Sequence, residues 1–272
     1  MGNVWGQLFP PEPHFTEKEI PSLEGGVFIV TGGNSGVGLE IVKILYAPGG
    51  TVYMAAVDAF LAQESRLDVL FNNAGITRQP AGSATKQGHE MHMGTNCLGP
   101  RLLSPRPRTA YASSLPPSGI VDLTGPPGGL SFEELKPGHF HSDMNRNYSA
   151  SKAGNWFLAS EFDKRTPDVV SVVQSPGTLK TKGWDGTPKL VRIIMAPLLY
   201  PPKFGAYTGL WACLSAEVKK GDGQKLINPW GRWHETPKKE VVASLSTKEA
   251  GGTGLAAEFF DFCTSRPRNT LD

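Results

Sequence analysis

Apolar residues in this chain gather into short runs separated by glycine- or proline-rich breaks. Residues 27–38 read Val-Phe-Ile-Val-Thr-Gly-Gly-Asn-Ser-Gly-Val-Gly. The run Val27 to Val30 has the length and β-branching of a buried strand. It enters Gly32, Gly33, Gly36 and Gly38, and residues 39–45 then follow with helical periodicity. A strand, a glycine turn and a helix N-terminus in that order make an anion site. The glycines let the backbone approach a diphosphate, and free N–H groups and the helix dipole stabilise its charge. Further strands are expected at 51–56, 68–71, 119–123 and 169–173. Leu255, Ala256, Phe259, Phe260 and Cys263 mark an amphipathic terminal helix with a packing role. Trp184, Leu190, Ile193, Ile194, Met195, Leu198, Leu199 and Tyr200 form an apolar stretch. It either covers a lipophilic substrate or packs as a core or surface element.

Residues 148–152 read Tyr-Ser-Ala-Ser-Lys, with a phenol and an ammonium at i and i+4. On a helix these positions share one face. An ammonium beside a phenol favours the phenolate, which moves proton exchange from about pH 10 toward neutrality. A carbonyl reductase or alcohol dehydrogenase needs that chemistry. Taken alone, the pair is common on solvated helix faces.

Thr31-Gly32-x-x-x-Gly36-x-Gly38 together with Tyr148-x-x-x-Lys152 resembles the short-chain dehydrogenase/reductase family. Two more segments fit in order. Asn72-Asn73-Ala74-Gly75 follows Val69-Leu70-Phe71, and Pro176-Gly177-Thr178-Leu179-Lys180-Thr181 follows Val169-Val170-Ser171-Val172-Val173. The match runs from about residue 20 to about residue 235. Phe15-Thr16-Glu17-Lys18-Glu19-Ile20-Pro21-Ser22-Leu23 and Asn228-Pro229-Trp230-Gly231-Arg232 are similar to the retinol-dehydrogenase-like, fungal-type branch.

The resemblance implies a single α/β domain at 25–272 after an extension at 1–24. Its fold would be a doubly wound, mostly parallel Rossmann sheet. It implies cofactor contacts from Gly32, Asn34, Ser35, Gly36, Val37, Gly38, Asn73, Ala74, Gly75, Tyr148, Lys152, Pro176, Gly177 and Thr181. It implies catalytic roles for Tyr148, Lys152, Asn96 and a serine that orients the substrate oxygen. The cofactor would be NADP or NAD, with NADP favoured by resemblance alone. The substrate would be a lipophilic alcohol or ketone, and many such fungal enzymes act in secondary metabolism.

Two stretches depart from the family pattern. Only 57–67 separate the second strand from the next, and a parallel crossover takes about 10–12 residues, usually one helix. One strand of the nucleotide-binding half is therefore expected to be missing. Val57 and Asp58 stand where a basic partner for a 2′-phosphate is expected. Asp58 either accepts from a ribose 2′-hydroxyl or caps a helix. Further on, Pro100, Pro105, Pro107, Pro116 and Pro117 exclude a continuous helix over 100–117, since each interior proline costs about 3 kcal/mol. The family's usual dimer packs on that helix, so a dimer is possible only with its interface disrupted. The substrate-orienting hydroxyl is either Ser118, aligned by the loop after it, or Thr124, aligned by the short strand at 119–123. These gaps leave open a degenerate member that binds nucleotide weakly or not at all.

The bulk numbers narrow the rest. A chain of 272 residues can bury a real core. A formal net charge of +2 with scattered Lys and Arg gives no case for nucleic acid. Three distant cysteines, Cys97, Cys213 and Cys263, point to a reducing, cytoplasmic setting and no metal site. His14, His89, His92, His139, His141 and His234 form no ligand cluster and read as surface or packing residues, with His139 and His141 near the pocket by position. No membrane span or leader is expected. Met1-Gly2 opens like a myristoylation site, but Gly6 stands where Ser or Thr is wanted.

Overall fold

The computed structural model describes residues 6, 8–54, 60, 62–102 and 124–265. Strand β1 (Val27–Val30) lies between β2 (Thr51–Tyr53) and β3 (Val69–Phe71), parallel to both. Phe28 pairs with Val52 on one side, and Ile29 with Leu70 on the other. Successive side chains of β1 face opposite ways, as the period of a strand requires. Phe28 and Val30 pack with Ile41, Leu45, Phe71, Ala206 and Leu210. Val27 and Ile29 pack with Phe60 and Leu70. Both faces are covered, which is why the strand reads as an unbroken apolar run. Helix α1 (Gly36–Tyr46) follows β1 and supplies Ile41 and Leu45, both fully buried.

No strand pairs with the outer edge of β2 among the described residues. Phe60 and the Glu64 N–H bond to its carbonyl (2.8 Å) are the described part of the short crossover. The expected loss of a strand agrees with this order. The second-strand residues Ala55 and Ala56, and Val57 and Asp58, lie outside the described residues.

A second group of strands has the order β4 (Val173–Gln174), β5 (Leu226–Asn228), β6 (Arg232–Trp233). β4 and β5 are parallel, and β6 is antiparallel. The strand expected at 169–173 is thus two residues long. Upstream of it, side chains take the backbone groups: the Asp163 carboxylate accepts from Ser171 N–H (3.2 Å), and Lys220 donates to the Val169 carbonyl (2.9 Å). The candidate strand at 119–123 lies outside the described residues.

The helical sequence from Glu90 is α2 (Met91–Met93), a π-helical turn (Gly94–Leu98) and α3 (Gly99–Leu102). Helix α4 (Met144–Arg165) runs behind β4 and β5, followed by α5 (Lys189–Met195) and α6 (Pro202–Leu214). Helices α7 (Lys239–Leu245) and α8 (Leu255–Thr264) close one side of α4. Phe259 meets Phe157 and Phe260 meets Phe162 edge-on, with ring centroids 6.3 and 4.9 Å apart. The expected packing role of the terminal helix is therefore observed. Helix α6 packs on α1, and Phe15, Ile20 and Leu23 cover the same cluster from the amino-terminal side. Among the described residues no helix is long and apolar enough to cross a membrane.

Candidate active site

The turns after β1 and β3 are fastened together by side chains. The Thr31 hydroxyl donates to the Phe71 carbonyl (3.1 Å) and accepts from the Ala74 N–H (2.9 Å). Asn73 donates to the Thr31 carbonyl (3.0 Å). These bonds hold the Thr-Gly and Asn-Asn-Ala-Gly turns side by side at the carboxyl ends of the strands, where such sheets bind ligands. Gly38 is required by this contact. A Cβ there would stand 2.3 Å from the Gly32 carbonyl oxygen and 2.5 Å from Asn73 Nδ2. Gly38→Ala is therefore expected to spread the two turns, lower stability by about 1–3 kcal/mol and weaken nucleotide binding. Denaturant unfolding and a cofactor titration check both effects.

Gly36 differs from Gly38. Its φ is +57°, and a Cβ would meet nothing nearer than Thr181 Cγ2 at 3.7 Å. Ser35 caps α1 in an extended conformation with its hydroxyl making no cap bond. Asn34 is exposed, and Val37 packs inward with the α1–α6 cluster. An open left-handed glycine, an uncommitted hydroxyl and the first N–H groups of α1 suit a diphosphate. Across from them, Gly177 (φ +87°) turns against Pro229, and Pro176 packs near Gly205. Lys180 N–H donates to the Tyr200 carbonyl (2.8 Å), and Tyr200 N–H to the Thr178 carbonyl (2.9 Å). A cleft of about 720 Å³ lies between the glycine turn and this segment, lined by Ser35, Gly36, Thr181, Lys182, Trp184 and Arg192 among others. A second hollow of about 570 Å³ sits at the amino ends of the strands, near Leu23, Asp68 and Val170, away from these groups.

Helix α4 carries Tyr148 and Lys152, and Asp143 caps it by accepting from the Asn145 N–H (2.8 Å). Asn96, in the π-helical turn, accepts from the Ile76 N–H (2.8 Å) and donates to the Ile76 carbonyl (3.1 Å) and the Ser151 hydroxyl (3.0 Å). Ser151 in turn donates to the Tyr148 carbonyl (2.8 Å). A Cβ on Gly75 would lie 3.2 Å from Asn96 Oδ1 and 3.4 Å from Lys152 Nζ. Asn96, Gly75, Tyr148 and Lys152 thus meet in one place.

The electrostatics correct one expectation. Lys152 Nζ lies 5.4 Å from the Tyr148 ring centroid, beside the ring face. Burial pushes the phenol up to about 12, against a smaller lowering by a hydrogen bond from the Thr77 side chain. Burial also brings Lys152 down to about 8, with Cys97 a lesser opposing influence. Each group loses more from desolvation of its charged form than it gains from its neighbour.

Ser118 lies outside the described residues. The Thr124 hydroxyl is 2.6 Å from that of Ser149 and donates to the Asn145 carbonyl (3.4 Å), both on α4. Helix α5 has no buried residue, and Leu190, Ile193 and Ile194 are 69, 70 and 62% exposed. That overturns a core role for this stretch. Sequence reasoning passed over Thr77, two positions beyond Gly75, and Glu90, and read His92 as a surface or packing residue; His92 is fully buried, with Nδ1 2.7 Å from Glu90 Oε1. The Glu-x-His spacing was the pair's only signal.

No family model matches the chain. The short-chain dehydrogenase/reductase iacJ of Pestalotiopsis fici is 36% identical over 323 residues, covering 96% of each chain. A short-chain dehydrogenase/reductase of Phomopsis amygdali is 34% identical over 320 residues, covering 96% of this chain and 95% of its own. The short-chain dehydrogenase/reductase bet4 of Neocamarosporium betae is 32% identical over 329 residues, covering 100% of this chain and 94% of its own. An aligned span of 329 against 272 residues leaves 57 positions facing gaps in this chain. The crystal structure of an uncharacterized protein from Mycobacterium paratuberculosis superposes with a TM-score of 0.64 at 23% identity, covering 92% of this chain and 97% of its own. The angucycline C-6 ketoreductase LanV, solved with bound NADP, gives 0.51 at 18% identity over 74% of this chain and 93% of its own. The fold is that of these Rossmann-type structures, and with relatives above 30% identity along nearly its whole length the chain belongs to the short-chain dehydrogenase/reductase family, oxidoreductases acting at carbinol and carbonyl carbons.

Proposed function

We propose that this chain moves hydride between a nicotinamide dinucleotide and a lipophilic alcohol or ketone. The convergence of Tyr148, Lys152 and Asn96 on Gly75, beside the glycine turn, carries this reading. Ser35, Gly36, Val37 and Thr181 would hold the diphosphate side, and Asn73, Ala74 and Gly75 the adenosine-side ribose by their backbone. The dinucleotide, when bound, supplies or accepts the hydride. Tyr148 gives the proton to the substrate oxygen or takes it back. Lys152 orients the nicotinamide ribose and, when charged, favours the phenolate. Ser118 or Thr124 steadies the substrate oxygen. Ile193 of α5, with Trp184 and Leu199, borders the cleft and suits a lipophilic substrate. NADP is favoured over NAD by family resemblance, and LanV was solved with NADP. A place in secondary metabolism and in the cytoplasm belongs to the same reading.

The 57 positions that face gaps favour a second reading, a degenerate member without turnover that binds nucleotide weakly or not at all. One experiment separates the two. NADPH is expected to quench Trp184 at the cleft and to be consumed when an aromatic ortho-quinone such as phenanthrenequinone is added. Quenching without consumption supports the second reading. No response to NADPH or NADH at millimolar levels sinks the first reading and supports the second.

A further inference from the structure

Helix α5 turns four aliphatic side chains to solvent. Leu190, Val191, Ile193 and Ile194 are 69, 42, 70 and 62% exposed, and no residue of the helix is buried. Single apolar residues are ordinary on a protein surface; four within five positions are not. The helix residues that line the cleft are Lys189, Arg192 and Ile193. With about 3.6 residues per turn, Leu190, Val191 and Ile194 share the other side, since Leu190 and Ile194 are i and i+4, and Val191 and Ile194 i and i+3. These three lie off the cleft, and the proposed chemistry gives them no use.

The same rim is basic. Residues 180–192 hold Lys180, Lys182, Lys189 and Arg192 against a single acid, Asp185. All four cations are exposed along the cleft, and none is in a salt bridge among the described residues. Exposed lysines elsewhere are paired, Lys203 with Glu17 (2.6 Å) and Lys225 with Asp222 (2.8 Å). A second copy of this chain does not fit such a patch. A two-fold contact sets the same residues of both copies against each other, so Lys189 and Arg192 would meet their own kind. Four aliphatic side chains also fall far short of the about 20–30 residues a side of a stable interface. An anionic bilayer fits both features. The aliphatic groups enter the acyl boundary, and the Lys and Arg stems carry their charges back to the headgroups.

We infer that α5 and the basic residues beside it dock the chain reversibly on an anionic phospholipid surface, with the cleft opening at the bilayer. The contact is peripheral, because α5 is seven residues long and cannot span. Docking stands on the surface itself; its use, uptake of a lipophilic substrate from the bilayer, rests on the proposed function.

Flotation of the full chain with vesicles tests the docking. Binding is expected to phosphatidylcholine vesicles containing about one-third phosphatidylserine, and to weaken about tenfold or more on phosphatidylcholine alone or at high salt. Leu190→Ser with Ile194→Ser is expected to lower the partition coefficient about tenfold or more. It should leave Tm and quinone reduction in buffer unchanged, because both side chains are exposed and off the cleft. Lys189→Gln with Arg192→Gln is expected to lower partition to the anionic vesicles about thirtyfold. A native chain that does not float with anionic vesicles, or that floats equally well with neutral ones, overturns the inference. So does a serine variant that floats like the native chain. A native dimer that the serine variant splits, without vesicle binding, assigns the patch to a second copy instead. Loss of quinone reduction in buffer by that variant, without vesicle binding, assigns it to the substrate. Vesicle binding by a native chain that consumes no NADPH ends the proposed activity and leaves the docking standing.

Discussion

Tyr148→Phe is expected to lower NADPH-dependent reduction of an ortho-quinone by about a thousandfold, with NADPH affinity within about twofold of the native chain. The magnitude is that of losing a positioned general acid. Phenylalanine fills the same space, so the ring keeps its contacts with His92 and Lys152. The Asn96–Ile76 bonds and the glycine turn do not involve the phenol oxygen. Burial keeps the unliganded phenol protonated to about 12. The group therefore stands ready as an acid at neutral pH and as a base only when the charge balance around it changes. Reduction is accordingly expected to be flat with pH between 6 and 8, and oxidation of an alcohol to climb with pH. Stopped-flow rates in both directions, beside an NADPH fluorescence titration, measure this. Activity retained within tenfold in Tyr148→Phe would remove Tyr148 from the chemistry.

What could be read in the sequence was local. Val27 to Val30 is apolar on both faces because both faces are covered, and four adjacent letters record that. The glycine turn was legible because Gly38 has no room for a Cβ and Gly36 needs a positive φ. The two short stretches were legible from proline and residue count, and an aligned span 57 positions longer than the chain shows that it is shorter than its relative overall. The chain keeps its motifs but lacks a strand beyond β2 among the described residues. Nothing in the letters of Val169 to Val173 says that Asp163 and Lys220 take up the backbone groups upstream of β4. Helical spacing put Lys152 beside Tyr148, but spacing carries no information on burial, and burial decides both protonation states. The packing of His92 on Tyr148 was not legible for the same reason: it exists only once α2 and α4 are brought together.

Lys152 is where stability and chemistry are expected to conflict. Its ordinary value of 10.5 is brought down to about 8 because the ammonium is buried, at 4% exposure, with no carboxylate in contact among the described residues. At about 1.4 kcal/mol per pH unit, holding the charge costs the fold about 3 kcal/mol at neutral pH. The sign follows from proton counts. Between about 8 and 10.5 the unfolded chain binds the proton and the folded chain does not, so stability rises with pH across that window and is lost as pH falls through 8. Tyr148 acts in the opposite sense higher up, since its unfolded form ionises near 10 and its folded form near 12. Lys152→Met removes the charge while keeping an unbranched side chain of similar length. It is expected to raise Tm at pH 7 by about 5 °C and to flatten the rise in stability between pH 8 and 10. Turnover is expected to fall below detection. Lys152→Arg is the control: its guanidinium cannot shed a proton in this range, so it should be less stable than the native chain, most of all above pH 8. Thermal unfolding of the three chains from pH 6 to 10, with quinone reduction measured on the same samples, decides the matter. A Lys152→Met that melts lower than the native chain at pH 7 would mean that the ammonium contributes to the fold through its place beside the Tyr148 ring, and that the site does not cost stability to keep its cation.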